Sequence, residues 1–298
     1  MKKLLLSAAL MCGSMTAFAQ LVDVGSITRV PLADNVRVSA ATISPDGKFI
    51  VASDPTGSGI AKIDVATGEQ TLLARNASIS NVVISEDGEN VMFRRIATKN
   101  NLRYVSLHNI NVASCSETEL VAPSRHLSGY SFSGRTAHAI TDRRLQSRNL
   151  EDSAVEPDVV VGIDYGHLVV TVGGETKTLD PQGKTSYLWP ALSPDKKKIV
   201  YWATYSGCWV CNIDGSNPVR LGELRAAKWL GNDMVVGMND RDNGEQVTSS
   251  SIIVSDLNGT KQTVSEQGSI AMYPSTTADG KHIAYVDGNG ELFVINLK

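Results

Sequence analysis

Cys208-Trp209-Val210-Cys211 has the C-x-x-C spacing of dithiol redox pairs. Redox chemistry needs a helix N-terminus or a nearby cation to lower the pKa of the first thiol. The residues around this pair read instead as one strand. That puts the two cysteines on opposite faces, ~10 Å apart at a rise of about 3.3 Å per residue. A disulfide holds its Cα atoms within ~7 Å, so unless the strand breaks at Gly207-Cys208 the pair reads as two small buried hydrophobes. With Cys115 the chain beyond residue 19 holds three cysteines, so at least one stays unpaired internally. Gly129-Tyr130-Ser131-Phe132-Ser133 comes nearest to the Gly-x-Ser-x-Gly elbow of serine hydrolases and fails at its last position. Asn239-Asp240-Arg241-Asp242-Asn243-Gly244-Glu245 resembles a calcium loop. It lacks the distal glutamate, since Ser251 stands twelfth from Asp240, and a solvated polar turn is the simpler reading.

Two further features could bind rather than react. Tyr187, Trp189, Tyr201, Trp202, Tyr205, Trp209 and Trp229 are seven of the twelve Trp and Tyr residues, gathered within 43 positions. Aromatics stack on sugars and anchor peptide interfaces, but they also fill cores, which is the plainer expectation. The long interval from Asp142 to Asp158 runs basic (Arg143, Arg144, Arg148) and then acidic (Glu151, Asp152, Glu156, Asp158). Long loops on rigid scaffolds are where binding tends to reside, although a merely solvated insertion is the plainer expectation.

The composition shows what kind of scaffold holds these residues. Of 298 residues, 42% are hydrophobic and 20% charged, which excludes a disordered chain. Four cysteines exclude a disulfide-dense miniature fold, and a net charge of −3 argues against nucleic acid as a partner. Twenty-five glycines with only 6% aromatics point to many short strands joined by tight turns. Lys2 and Lys3, the apolar run Leu4 to Met11 and Ala17-Phe18-Ala19 have the order of a cleaved secretory signal over residues 1–19. The apolar run is far short of the ~20 residues of a membrane span. The expectation is therefore an exported protein, periplasmic or secreted, with a single domain over residues 20–298 and no membrane span.

One segment recurs. Ser44-Pro45-Asp46-Gly47-Lys48, Ser85-Glu86-Asp87-Gly88-Glu89, Ser193-Pro194-Asp195-Lys196 and Ala278-Asp279-Gly280-Lys281 each lead into an apolar run. Eroded copies sit at Ser131-Phe132-Ser133-Gly134 and Leu230-Gly231-Asn232-Asp233. Copies begin at 44, 85, 131, 193, 230 and 277, and a second Gly turn follows several of them, as at Thr67-Gly68, Asp214-Gly215 and Asn258-Gly259. Strand, Asp-Gly turn, strand, strand, Gly turn, strand is one four-stranded antiparallel blade. A period near 40–45 residues is that of an all-β propeller. Six copies predict six blades. The last copy lacks a fourth strand, and Val22 to Leu32 offers a spare one that would complete it and close the ring.

Pro190, Ser193-Pro194-Asp195, Ile199-Val200-Tyr201 and Asn212-Ile213-Asp214-Gly215-Ser216-Asn217-Pro218 resemble the WD-repeat-like propeller repeat of TolB-like proteins. That resemblance covers essentially all of residues 20–298. It implies a six-bladed interaction scaffold at the cell envelope, without the N-terminal α/β domain that precedes such a propeller in that family. It implies no catalytic residues and no cofactor. Of the five histidines (His108, His126, His138, His167, His282), only His126 lies near the start of an inner strand, so a multi-histidine metal site is not evident. The leading expectation is a non-enzymatic propeller that binds an envelope protein or peptide at the channel mouth, where Arg37, His126, Tyr187, Arg225 and Tyr273 begin the inner strands. Two alternatives stand beside it: a metal-dependent lyase or lactonase centred on the channel and acting on a glycan or lactone, and a glycan-binding propeller.

Overall fold

The computed structural model describes residues 20–53, 56, 58–150 and 159–298, with the side chains of 78–80 left aside. The leader expected over 1–19 and the acidic half of the long interval, 151–158, lie outside the described residues. All regular structure is strand. β1 (Val24–Arg29) opens the chain. The first sheet then follows as β2 (Ala40–Ile43), β3 (Phe49–Ser53), β4 (Gly59–Asp64) and β5 (Gln70–Arg75), and the second as β6 (Ser78–Ile84), β7 (Asn90–Lys99), β8 (Leu102–Asn111) and β9 (Glu117–Ser124). The third is β10 (Leu127–Ser133), β11 (Thr136–Thr141) and β12 (Arg144–Asn149), and the fourth is β13 (Val160–Asp164), β14 (His167–Val172) and β15 (Glu175–Thr178). The fifth is β16 (Tyr187–Leu192), β17 (Lys198–Ala203), β18 (Gly207–Asn212) and β19 (Val219–Gly222). The sixth is β20 (Arg225–Leu230), β21 (Met234–Asp242), β22 (Val247–Asp256) and β23 (Lys261–Thr263). The seventh is β24 (Ala271–Thr276), β25 (His282–Asp287) and β26 (Leu292–Leu297), completed by β1.

The propeller therefore has seven blades, not the six expected from the turn count. Each of the seven core clusters spans two neighbouring blades, which closes the disc. The extra blade lies in the 62-residue step between the copies at 131 and 193. Its hairpins turn on Tyr165-Gly166 (φ 48° and 84°) and Gly173-Gly174 (φ 58° and 86°). Two successive left-handed residues suit a two-residue hairpin, so this blade does without the Ser-Pro-Asp-Gly turn that marks the others. β13 is also reversed relative to the other first strands. Its end, Asp164, meets Ser128 at the start of β10, and the Gly166 carbonyl accepts from the Tyr187 amide at the start of β16.

The recurrent turn is a small hydrogen-bonded device. Ser44 Oγ donates to Asp46 Oδ1 (2.8 Å) and accepts from the Phe49 amide (3.1 Å), while the Lys48 amide donates to the same carboxylate (3.1 Å). The pattern repeats at Ser85/Asp87, Ser193/Asp195 and Thr277/Asp279. Burial alone would raise the Asp46 pKa. Hydrogen bonds from Lys48 and Ser44 outweigh it and hold the carboxyl at about 2.

Six turns at this position of the blade, four of them carrying this device, form a ring on one face of the disc. The Ala278 amide donates to Pro45 O, Gly280 lies against Gly231, and the Asp195 amide donates to Asn232 Oδ1. Lys196 Nζ donates to Ser133 Oγ, Arg135 pairs with Asp87 and Glu89, and Gly88 faces Phe49. The turn of the fourth blade is on the opposite face, so the ring passes directly from the third blade to the fifth.

The expected closure is present. β1 pairs antiparallel with β26 from Val24↔Leu297 to Arg29↔Phe293. Gln262 fixes the entering chain, accepting from the Leu21 and Val22 amides (2.7 and 3.0 Å) and donating to Val22 O (2.9 Å).

Candidate functional site

A cavity of about 650 Å³ runs along the propeller axis, lined by the first strands of blades one, two, five, six and seven. One end is the ring of turns, at Pro45, Pro194, Gly231 and Ala278. The other is the mouth, where those first strands begin. Four of the strands bulge near the mouth, with non-glycine residues in the left-handed region: Asn81 (φ 60°), Trp189 (50°), Ala226 (50°) and Tyr273 (54°). A left-handed backbone costs a non-glycine residue about 1–2 kcal/mol, and bulges of this kind re-aim side chains beside sites. Pro190 and Pro274 follow two of them. Proline brings no amide to the ladder, so it fits where the bulge has already interrupted pairing. All four residues line the cavity.

Around the mouth the side chains form one connected cluster. Trp189 meets Trp202 edge-on (6.3 Å), and the Arg225 guanidinium lies over Trp202 (5.6 Å). Arg225 also pairs with Asp240 (2.7 Å), whose side chain is 3% exposed. The Tyr273 amide lies 3.5 Å from Met238 Sδ, which carries the cluster into blade seven. Leu188, Tyr165, Tyr205 and Tyr273 are exposed on this same face.

The structure spreads the five mouth residues named from the sequence unevenly. Arg225 and Tyr273 belong to this cluster. Arg37 is exposed and folded back on the Asp34 and Val36 carbonyls, beside Gly290. His126 sits between Tyr165 (2.8 Å) and Asp142 (4.0 Å), on the third- and fourth-blade side. Tyr187 is fully buried against Tyr201, its hydroxyl accepting from the Gln182 amide and donating to Gly183 O, so it presents nothing to a ligand. The aromatic group divides likewise. Tyr187, Tyr201 and Trp229 are core, while Trp189, Trp202 and Tyr205 face the mouth.

Cys208 and Cys211 lie on β18 in separate core clusters, and burial pushes both thiols up to about 12. That leaves them as inert thiols. Asp240 and Asp242 of the calcium-like stretch close the long β21–β22 hairpin, and Asp240 is taken up by Arg225. Among the described residues no three His, Cys, Asp or Glu side chains stand together as a metal site.

One arrangement went unread in the sequence. Ser106 Oγ lies 2.8 Å from His108 Nε2, and His108 Nδ1 lies 2.8 Å from Glu117, itself held by Arg95. These are the contacts of a nucleophile, base and orienting carboxylate. Only alternation along β8 with a cross-strand glutamate could have suggested it. Ser106 and His108 are 6% and 8% exposed, and His108 stacks on Phe93, so the relay is a buried polar network between blades one and two. Burial lowers the His108 pKa, outweighing the opposing pull of Glu117. Above pH 6.5 the ring is neutral in folded and unfolded chains alike. As the pH falls below that value the unfolded chain takes up the proton first, so stability declines. Urea midpoints at pH 7.5 and 5.5 should differ more for the native chain than for His108→Gln; equal differences would refute this assignment.

Comparison with protein-family models gave no match, and no curated protein matched the chain either.

Proposed function

We propose that the protein is an exported, non-enzymatic scaffold whose channel-mouth face binds a protein or peptide partner at the cell envelope. The observation that carries this reading is the connected Trp189–Trp202–Arg225–Asp240 cluster, continued by Tyr273 and flanked by exposed Leu188 and Tyr205. Tyr, Trp and Arg around a partly desolvated centre are the composition of protein-interface hot spots. The TolB-like character of the repeats and the secretory character of residues 1–19 point the same way.

The test is photo-crosslinking in the envelope, with a photoreactive residue at Tyr205 on the mouth face or at Val172 on the opposite face. A discrete partner should crosslink from position 205 and not from 172. Arg225→Ala with Tyr273→Ala should reduce the yield at least tenfold without altering the circular dichroism spectrum. Equal yields from both faces, or an unaffected double variant, would refute the assignment of this face.

A further inference from the structure

Lys228 sits in the wall of the axial cavity, on β20 just beyond the bulge that separates Arg225 from Lys228 in the pairing with β21. Among the described residues lining that cavity it is the only Lys, Arg, His, Asp or Glu. Its ammonium makes no hydrogen bond or ion pair with any described residue. The side chain is exposed to the channel, and desolvation by the surrounding wall lowers its pKa. Among the described residues no counter-charge faces it, and nothing in the fold's own hydrogen bonding requires a cation there.

The other polar groups of the wall are mostly committed. Ser275 Oγ accepts from the Ile43 amide, Thr276 Oγ1 donates to Trp229 O, and Thr277 serves its turn. Asn81 differs. Its backbone is held left-handed, its carbonyl takes the Tyr130 hydroxyl, and its exposed side-chain amide has no partner among the described residues. Among the described residues the cavity thus offers one cation, one free amide and the Thr42 hydroxyl in a wall otherwise of apolar side chains and committed hydroxyls.

We propose that the axial channel binds a monoanionic carboxylate carrying an apolar or aromatic body, with the carboxylate paired to Lys228. A single negative charge matches a single ammonium. A phosphate dianion would leave one charge uncompensated, with no arginine in the channel wall to take it. Trp189 and Tyr273 stand at the entrance, where the body of the ligand would lie. A free organic acid and the C-terminal carboxylate of a peptide share this chemistry. The site shares Trp189 and Tyr273 with the mouth cluster, but its anchor, Lys228, lies below that cluster and does not depend on the partner assigned to that face.

The experiment is calorimetric titration of the full chain with 3-phenylpropionate, with its amide, and with a tripeptide ending in phenylalanine, its C-terminus either free or amidated. Binding of at least one carboxylate form is expected, with at least tenfold loss on amidation and a comparable loss in Lys228→Met. Lys228→Arg should retain binding. Circular dichroism and melting temperature show that Lys228→Met is folded; removal of an unpaired cation should leave it at least as stable as the native chain. Preference for the free acid would identify a small metabolite-like ligand, and preference for the peptide a chain terminus. No binding of either carboxylate, equal binding of acid and amide, or undiminished binding by Lys228→Met would overturn the proposal.

Discussion

Removal of residues 20–29 should lower the melting temperature by on the order of 10 °C or more and leave the protein prone to association. β1 is the fourth strand of the seventh blade, so its loss leaves β26 as an open edge, a template for pairing with other chains. It also uncovers apolar surface, because Leu21, Val22, Val24 and Ile27 pack half-buried on the core between blades six and seven. Half-burial of four such side chains is worth roughly 3–6 kcal/mol. In a protein of this size each kcal/mol moves the melting temperature by about 2–4 °C. Gln262→Ala is the milder probe, since it removes the three hydrogen bonds that guide Leu21 and Val22 into place. Thermal melts of the truncated chain, with and without a synthetic peptide covering 20–32, check the account, and the peptide should restore most of the loss. A truncated chain melting within 2 °C of the full one would refute it.

Gly162→Ala should loosen the fourth blade selectively. A Cβ at Gly162 would stand 2.4 Å from Ser128 O and 2.8 Å from the Gly129 nitrogen, and one at Gly129 would stand 2.3 Å from Val161 O. These obstacles are backbone atoms, which cannot swing aside as a side chain would. β10 and β13 must therefore separate, at a cost of about 1–3 kcal/mol or more for overpacking of this kind. Among the described residues the buried core of this interface is small, Ile140, Val160 and Val169, and its other contacts are the polar ones of Ser128 and Arg143 with Asp164 and of His126 with Tyr165. Hydrogen exchange should report faster amide exchange throughout β13–β15 and unchanged protection in blades one and seven. Gly25→Ala, whose Cβ would stand no closer than 3.2 Å to the Lys298 side chain and 3.3 Å to Asn296 O, serves as the control. Uniform loss of protection, or none, would contradict this local role.

The sequence made the closure legible, because an unpaired final copy and a spare N-terminal strand had to meet. It also located six of the turns, since Ser, Asp and Gly at fixed offsets leave a chemical signature. The fourth blade escaped because a two-residue hairpin needs only left-handed backbone at Tyr165-Gly166 and Gly173-Gly174. The Val-rich runs on either side of Tyr165-Gly166 were the available signal. The mouth cluster was half legible. Arg225 and Tyr273 follow from strand starts, whereas Trp202 and Asp240 reach the mouth only through cross-blade packing. Tyr187 looked equivalent to Tyr273, but no bulge turns it towards the axis, and it points into the core instead. Lys228 was hidden for the opposite reason, because simple alternation along β20 cannot anticipate a register break at Ala226.

The clasp between β1 and β26 also has a mechanical consequence. Val24 pairs with Leu297, and the Lys298 amide donates to Asp23 O, so the two ends leave the disc side by side. Tension applied between Gln20 and Lys298 would load one rung of the antiparallel pair at a time, as in a zipper. The same hydrogen bonds pulled along the strand axis would share the load. The ring that resists heat as a closed circle is thus weakest to traction at the point where it is fastened, and a tether on one end alone would leave that fastening unloaded.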